Sequence, residues 1–155
     1  LRSVPFHVCT AETLPSPAGP VLLDIDADFF PPYVEARRLT LVAGLRDFLL
    51  KMADHGLRVL AAHVALSING GYLPPTDRYA GDVLRYLLEN PEATRSGILP
   101  PRWNTLNGAG DLLRGGATDL SIGMLESALR SAPTDPDLRA MRAAARFMDG
   151  RTKQA

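Results

Sequence analysis

Val21-Leu-Leu-Asp-Ile-Asp-Ala-Asp-Phe-Phe30 is the stretch whose reading decides the fold. Val21 to Asp26 has the apolar make-up of a strand buried in a parallel sheet. Alternate residues of a strand share a face, so Asp24, Asp26 and Asp28 point the same way if the strand persists. Neighbours two apart are separated by roughly 6.8 Å. At an effective dielectric of 20 such charges repel by about 2.4 kcal/mol. The flanking Val21, Leu22, Leu23, Ile25, Phe29 and Phe30 predict an apolar setting in which water screens little of that repulsion. A cation, a proton or basic side chains must then offset it. Carboxylates at the C-terminal end of a parallel strand lie where α/β sheets hold ligands, and hard oxygen donors suit Mg²⁺ or Mn²⁺. The plainer alternative is that one aspartate caps a turn and another is solvated. It weighs most for Asp28, beside the Phe-Phe-Pro-Pro break.

Working outward, Val4 to Thr10 reads as a short strand, followed by a connection rich in proline. Pro31 and Pro32 stop the ladder after the aspartates. Leu41, Leu45, Phe48, Leu49 and Met52 recur at helical spacing within Val34 to His55, and Gly56 is a natural stop. Arg58 to Ser67 returns to a strand, so the two strands are parallel neighbours joined by a crossover. Ser67 to Pro75 is a loop, and Thr76 or Asp77 caps a helix running to about Glu89. Pro91 to Arg102 reads as irregular. Helices alone follow, over Trp103 to Leu113, Asp119 to Ser131 and Pro136 to Met148, the last capped by Asp135 with Pro136 at its first position. The organisation expected is an α/β portion with a parallel sheet over 1–90, a linker over 91–102 and an all-helical tail over 103–155.

Composition bounds the function. The 155 residues carry 17 basic and 17 acidic side chains with no basic stripe, which argues against nucleic acid or an anionic membrane as partner. Cys9 is the single cysteine, so no internal disulfide or cysteine-rich zinc site is expected. A reducing, cytoplasmic setting is the plain reading. No signal peptide is read at the start, and the longest apolar run, Leu57 to Ile68, contains Arg58 and His63 and is too short to cross a bilayer. A chain opening on Leu1 directly before a strand-like run reads as a piece of something longer.

Asp24-Ile-Asp26-Ala-Asp28-Phe-Phe30, with Ser67-Ile-Asn-Gly-Gly-Tyr72-Leu-Pro after the next strand, resembles the arginase and deacetylase superfamily. More narrowly it is similar to the branch that includes the peptide arginases. The resemblance covers roughly residues 1–90 and implies part of an arginase-like three-layer fold. Matched to the family's Asp-x-Asp pair, Asp24 and Asp26 would be ligands of a two-Mn²⁺ centre, while Asp28 has no counterpart and is kept as a nearby carboxylate. Tyr72 would match the deacetylase tyrosine that stabilises an oxyanion, with Asn69, Gly70 and Gly71 near the substrate. The reaction implied is hydrolysis of a guanidinium, converting arginine, perhaps within a peptide, to ornithine and urea. The family's upstream Asp-x-His-x-Asp segment and separate histidine have no match, since only His7, His55 and His63 occur. The metal site is therefore expected to be incomplete in this chain.

The remaining residues carry plainer readings beside the functional ones. His63, within Ala61-Ala-His-Val-Ala65, reads as a hydrogen-bonded core histidine, with catalysis as the sharper alternative. Tyr72 follows two glycines that permit close backbone approach, but a packed turn accounts for it equally. Arg37, Arg38 and Arg46 read as a solvated helix face. Gly123 onward resembles one tetratricopeptide unit, which cannot bury its own face and so must pack on the α/β part, on further repeats or on a partner; an ordinary terminal helical hairpin is the plainer reading. Three other functions compete with the arginase type: a deacetylase-like amide hydrolase, a haloacid-dehalogenase-type phosphatase using Asp24, Asp26 and Ser67, and a non-catalytic peptide-binding module. Burial of Leu125, Leu129, Leu138 and Met141 inside the chain would count against the last.

Overall fold

The structure, a computed structural model, describes residues 10, 12–67 and 72–150. The expected strand Val4 to Thr10, apart from Thr10 itself, lies outside those residues, as do Asn69, Gly70 and Gly71.

Val21–Asp26 forms β1 and Val59–Ala65 forms β2, and the two pair in parallel. Asp24 lies opposite His63, Ile25 opposite Val64 and Asp26 opposite Ala65. Between them run α1, Phe30–Arg37, and α2, Leu41–Asp54. The single helix expected over this region is broken at Arg38, whose φ of 54° is left-handed. Thr40 then starts α2, its hydroxyl accepting from the Ala43 N–H at 3.2 Å. Pro31 and Pro32 do not stop the strand, which has already ended at Asp26; they open α1, where a missing N–H costs nothing. His55 and Gly56, at φ 73°, close α2.

A 3-10 turn at Pro75–Asp77 leads into α3, Ala80–Glu89. Neither Thr76 nor Asp77 caps that helix: Asp77 is buried and accepts instead from the Arg114 Nη1 at 3.1 Å. Pro91–Ser96, expected to be irregular, is a short helix, α4. Arg46 of α2 holds its C-terminal end, donating to the Thr94 and Arg95 carbonyls at 3.1 Å each. Arg46 is thus a clamp between helices rather than part of a solvated face.

Helices α5, Pro101–Arg114, α6, Thr118–Ser131, and α7, Pro136–Met148, follow close to the expected bounds. Asp135 caps α7 as anticipated, accepting from the Asp137 and Leu138 N–H groups at 3.0 Å. One core joins the two halves of the chain: Ile25, Phe30, Leu45 and Leu87 cluster with Trp103, Leu106, Leu125 and Met141. Each such side chain, taken fully out of water, contributes on the order of 1.5–3 kcal/mol.

The fold is therefore mixed α/β, with a two-stranded parallel sheet among the described residues and seven α-helices. That core lies on one side of the sheet, where Ile25 is buried and Leu23 and Val64 pack against it. Among the described residues the opposite side is bare, with Leu22 78% exposed. This overturns the expectation of a strand buried on both faces. No helix among the described residues is long and apolar enough to cross a membrane.

Candidate metal-binding face and adjoining cleft

Strand alternation sends Leu23 and Ile25 into the core and Asp24 and Asp26 to the bare side. The register sets His63 beside Asp24, and the His63 Nδ1 lies 2.8 Å from the Asp24 Oδ1. Both side chains are open to water, at 75% and 82% exposure. Two sequence-based expectations fail here. His63 is not a core histidine, and the aspartates do not sit in apolar surroundings. In water, at a dielectric near 80, the repulsion between carboxylates 6.8 Å apart falls to about 0.6 kcal/mol. No cation is required to hold the two carboxylates there.

Asp26 accepts from the Ser67 hydroxyl at 3.0 Å. Ser67, just past β2, has φ 26°, an uncommon backbone for a residue with a side chain. Asp28 is not on this face. The strand ends at Asp26, and Ala27–Phe29 tightens into a 3-10 turn whose Asp28 N–H points back to the Asp26 carboxylate. Tyr72 is 88% exposed, not packed in a turn.

If the shared proton is on the His63 Nδ1, donated to Asp24, then the Nε2 keeps a free lone pair. That is how a carboxylate orients an imidazole toward a metal or a proton. Asp24, Asp26 and His63 are donors of the kind Mn²⁺ takes. Among the described residues, however, no group of three His, Cys, Asp or Glu converges closely enough to hold a metal ion. The fit is one of chemistry and of common face, and further ligands are needed to close a site.

Asp24 and Asp26 also border a cleft of about 500 Å³, within the range of small-molecule sites. Its apolar wall is Leu14, Ile25, Phe29, Phe48 and Met52, and its remaining lining is Thr10, Glu12, Tyr33 and Arg37. The Phe29 ring lies 5.1 Å from Tyr33 and 5.8 Å from Phe48, so one aromatic cluster shapes the wall.

A polar network stiffens the end away from the strand. Tyr33 donates to Asp47 at 2.6 Å, and Lys51 bonds Tyr33, Asp47 and Glu12 at 3.2, 2.9 and 3.1 Å. Arg37 donates to Glu12 at 2.6 Å and lies 4.0 Å over the Tyr33 ring. The Lys51 ammonium, with backbone, Thr10 and Arg37 bonds, holds the Glu12 carboxyl down to about 2. Burial works against the Asp47 carboxylate, yet its bonds from Tyr33 and Lys51 prevail and its pKa lies below the ordinary value. Burial and the Asp47 bond together push the Tyr33 phenol up.

Sequence reasoning missed this network. Two i,i+4 pairs, Tyr33 with Arg37 and Asp47 with Lys51, were its only local signal. Lys51, the lysine a phosphatase reading would need at the aspartates, is held in that network.

A second, larger cleft of about 1390 Å³ runs between α1, α5 and α7, lined by Val34, Leu113, Ala143 and Phe147 among others. Leu125, Leu129, Leu138 and Met141 are nevertheless buried within the chain, against the expectation attached to a peptide-binding tail. No protein-family model matches the chain, and no match was found among curated proteins or solved structures.

Proposed function

We propose that this chain contributes the Asp24, Asp26 and His63 face of a metal-dependent C–N hydrolase of arginase type, acting on a guanidinium. The observation that carries the reading is the Asp24–His63 hydrogen bond at 2.8 Å, formed across two parallel strands whose C-terminal ends also present Asp26. Mn²⁺, when bound, supplies Lewis acidity and an acidified water. The chain's own residues orient and shield. Asp24 bonds the His63 Nδ1, and a proton held there would leave the Nε2 lone pair free. Ser67 fixes one oxygen of Asp26 and leaves the other available. Phe29 and Phe48 provide an apolar wall beside the carboxylates, limiting water around a bound substrate. Since the three donors do not close a site, the centre is completed by ligands beyond the described residues.

Calorimetric titration with Mn²⁺ tests the face directly. The expected result is measurable binding that weakens at least tenfold in Asp24→Ala and in Asp26→Ala, with a smaller loss for Asp28→Ala. Equal Mn²⁺ affinity in all four proteins, or none in the parent, would sink the proposal.

A second reading has one observation behind it. The cleft along α7, with Phe147 70% and Met148 59% exposed, favours a protein partner docked on the helical tail. Fluorescence of a Phe147→Trp variant that is unchanged by every candidate peptide would count against it.

A further inference from the structure

We infer that the free edge of β2 docks an extended peptide carrying one bulky apolar side chain between two basic ones. The site lies on the edge away from β1 and needs no cation, so it stands apart from the metal reading above. Among the described residues β2 pairs with β1 alone. Its second edge therefore presents backbone N–H and C=O groups that only another strand can satisfy in full. Natural edges of this kind are blunted by lysine or proline, and Val59-Leu-Ala-Ala-His-Val-Ala65 has neither. Its one irregularity is Leu60, an extra residue against β1 that is 73% exposed. Beyond it Ala61 to Ala65 pair residue for residue with Leu22 to Asp26. That regular stretch is about 17 Å long.

A cleft of about 560 Å³ runs along this edge between β2 and α3, the scale of a small ligand or a short peptide. Ala62 and Val64 stand opposite Leu23 and Ile25, so their side chains face the helices and floor the cleft with Leu60. Ala62, small between two larger residues, leaves a notch for a bulky apolar side chain. Helix α3 runs antiparallel to β2. At its start Leu66 packs on Gly81, its Cδ2 2.5 Å from where a Cβ would stand, and towards its end Leu88 shares a cleft wall with Val59. Asp82 and Glu89, both exposed, therefore mark opposite ends of the α3 wall, a rise of about 10 Å apart. In an extended peptide the residues two before and two after a central side chain share its face and lie about 13 Å apart. With the apolar residue over Ala62, these two reach the ends of the wall whichever way the peptide runs. Basic side chains there complement both acids. Arg85, between the acids, leaves the wall net acidic.

The test is fluorescence anisotropy in metal-free buffer with three labelled, end-blocked peptides: Thr-Lys-Thr-Leu-Thr-Lys-Thr, its counterpart with Glu for Lys, and the first peptide N-methylated throughout. Expected is binding of the basic peptide at least tenfold tighter than of the acidic one, and none of the N-methylated one. The Asp82→Asn, Glu89→Gln double variant should lose that preference. Leu60→Lys, at an exposed position, should keep the circular dichroism of the parent and bind the basic peptide at least tenfold more weakly. No binding of the basic peptide, binding that survives N-methylation, or equal affinity for both charges overturns the proposal. A preference that survives the double variant, or unchanged affinity in Leu60→Lys, overturns it too. So does a parent chain that sediments as a dimer and that Leu60→Lys returns to monomer, which gives the edge to a second copy instead.

Discussion

The sheet and the helices around it handle the same residue type in opposite ways. Asp24 stands on the sheet with its side chain 82% exposed, while Asp77 and Asp137 are 3% and 5% exposed among helices. The buried pair is matched in charge. Asp77 meets Arg114 at 3.1 Å, and Asp137 meets Arg102 and, at 3.1 Å, Arg78. Among the described residues, the side chains bonded to Asp24 and Asp26 are those of His63 and Ser67. A carboxylate among the helices is thus part of the fold, its cost of burial offset by guanidinium partners. On the sheet, Asp26 caps only the short turn at Asp28, and both carboxylates are exposed and open to a ligand. Burial, more than neighbours in sequence, separates the two roles.

The contrast can be broken at several points. Leu125→Ala, at the centre of the tail, should have the largest effect, about 2–5 kcal/mol of stability. A single urea transition, monitored by both circular dichroism and Trp103 fluorescence, would confirm that one core spans both halves; two separated transitions would divide them. Arg102→Ala leaves Asp137 buried with Arg78 as its remaining partner and strips Asp135 of its ion pair. The expected loss is about 2 kcal/mol by the same measurement, less than for a buried charge left wholly alone. On the sheet, Asp24→Ala and His63→Ala should change stability by no more than about 0.5 kcal/mol. A loss of several kcal/mol there would show the aspartates to be structural after all.

The smallest effect concerns acid. Glu12 is held at about 2 in the folded chain against an ordinary 4.5. A carboxyl with a depressed folded-state value adds stability above its unfolded value, and that stability is lost as pH falls through the folded one. Glu12→Gln should therefore be less stable than the parent at pH 6. The two should converge between about pH 4.5 and 2 in thermal melts. A gap that persists unchanged at pH 2 would show that Glu12 acts through packing rather than charge.

Much of the fold was legible. Val21 to Asp26 announced a strand by composition, and Asp135-Pro136 announced the start of α7 by capping chemistry, since both signals are local. The break at Arg38 was not, because a non-glycine residue in the left-handed region has no strong sequence mark. The ion pairs that tie the tail together join residues 35 to 37 positions apart, beyond any periodicity. The candidate site was half legible. Its aspartates were found, and Asp24 and Asp26 do share a face, but their surroundings were misjudged. Apolar neighbours in sequence imply a dry site only when both faces of a strand are covered. Here one is not, and His63 was assigned to the core for the same reason. Arg37 and Glu12 escaped because a cleft assembles from elements that sequence order keeps apart.

The alternation of β1 has a consequence for how such a chain can change over generations. Positions 23 and 25 answer to packing, and positions 24 and 26 do not. Constraint from the core then falls on alternate codons of one strand. Substitutions at the outward positions leave the core untouched, so the chemistry of the open face can change while the fold persists.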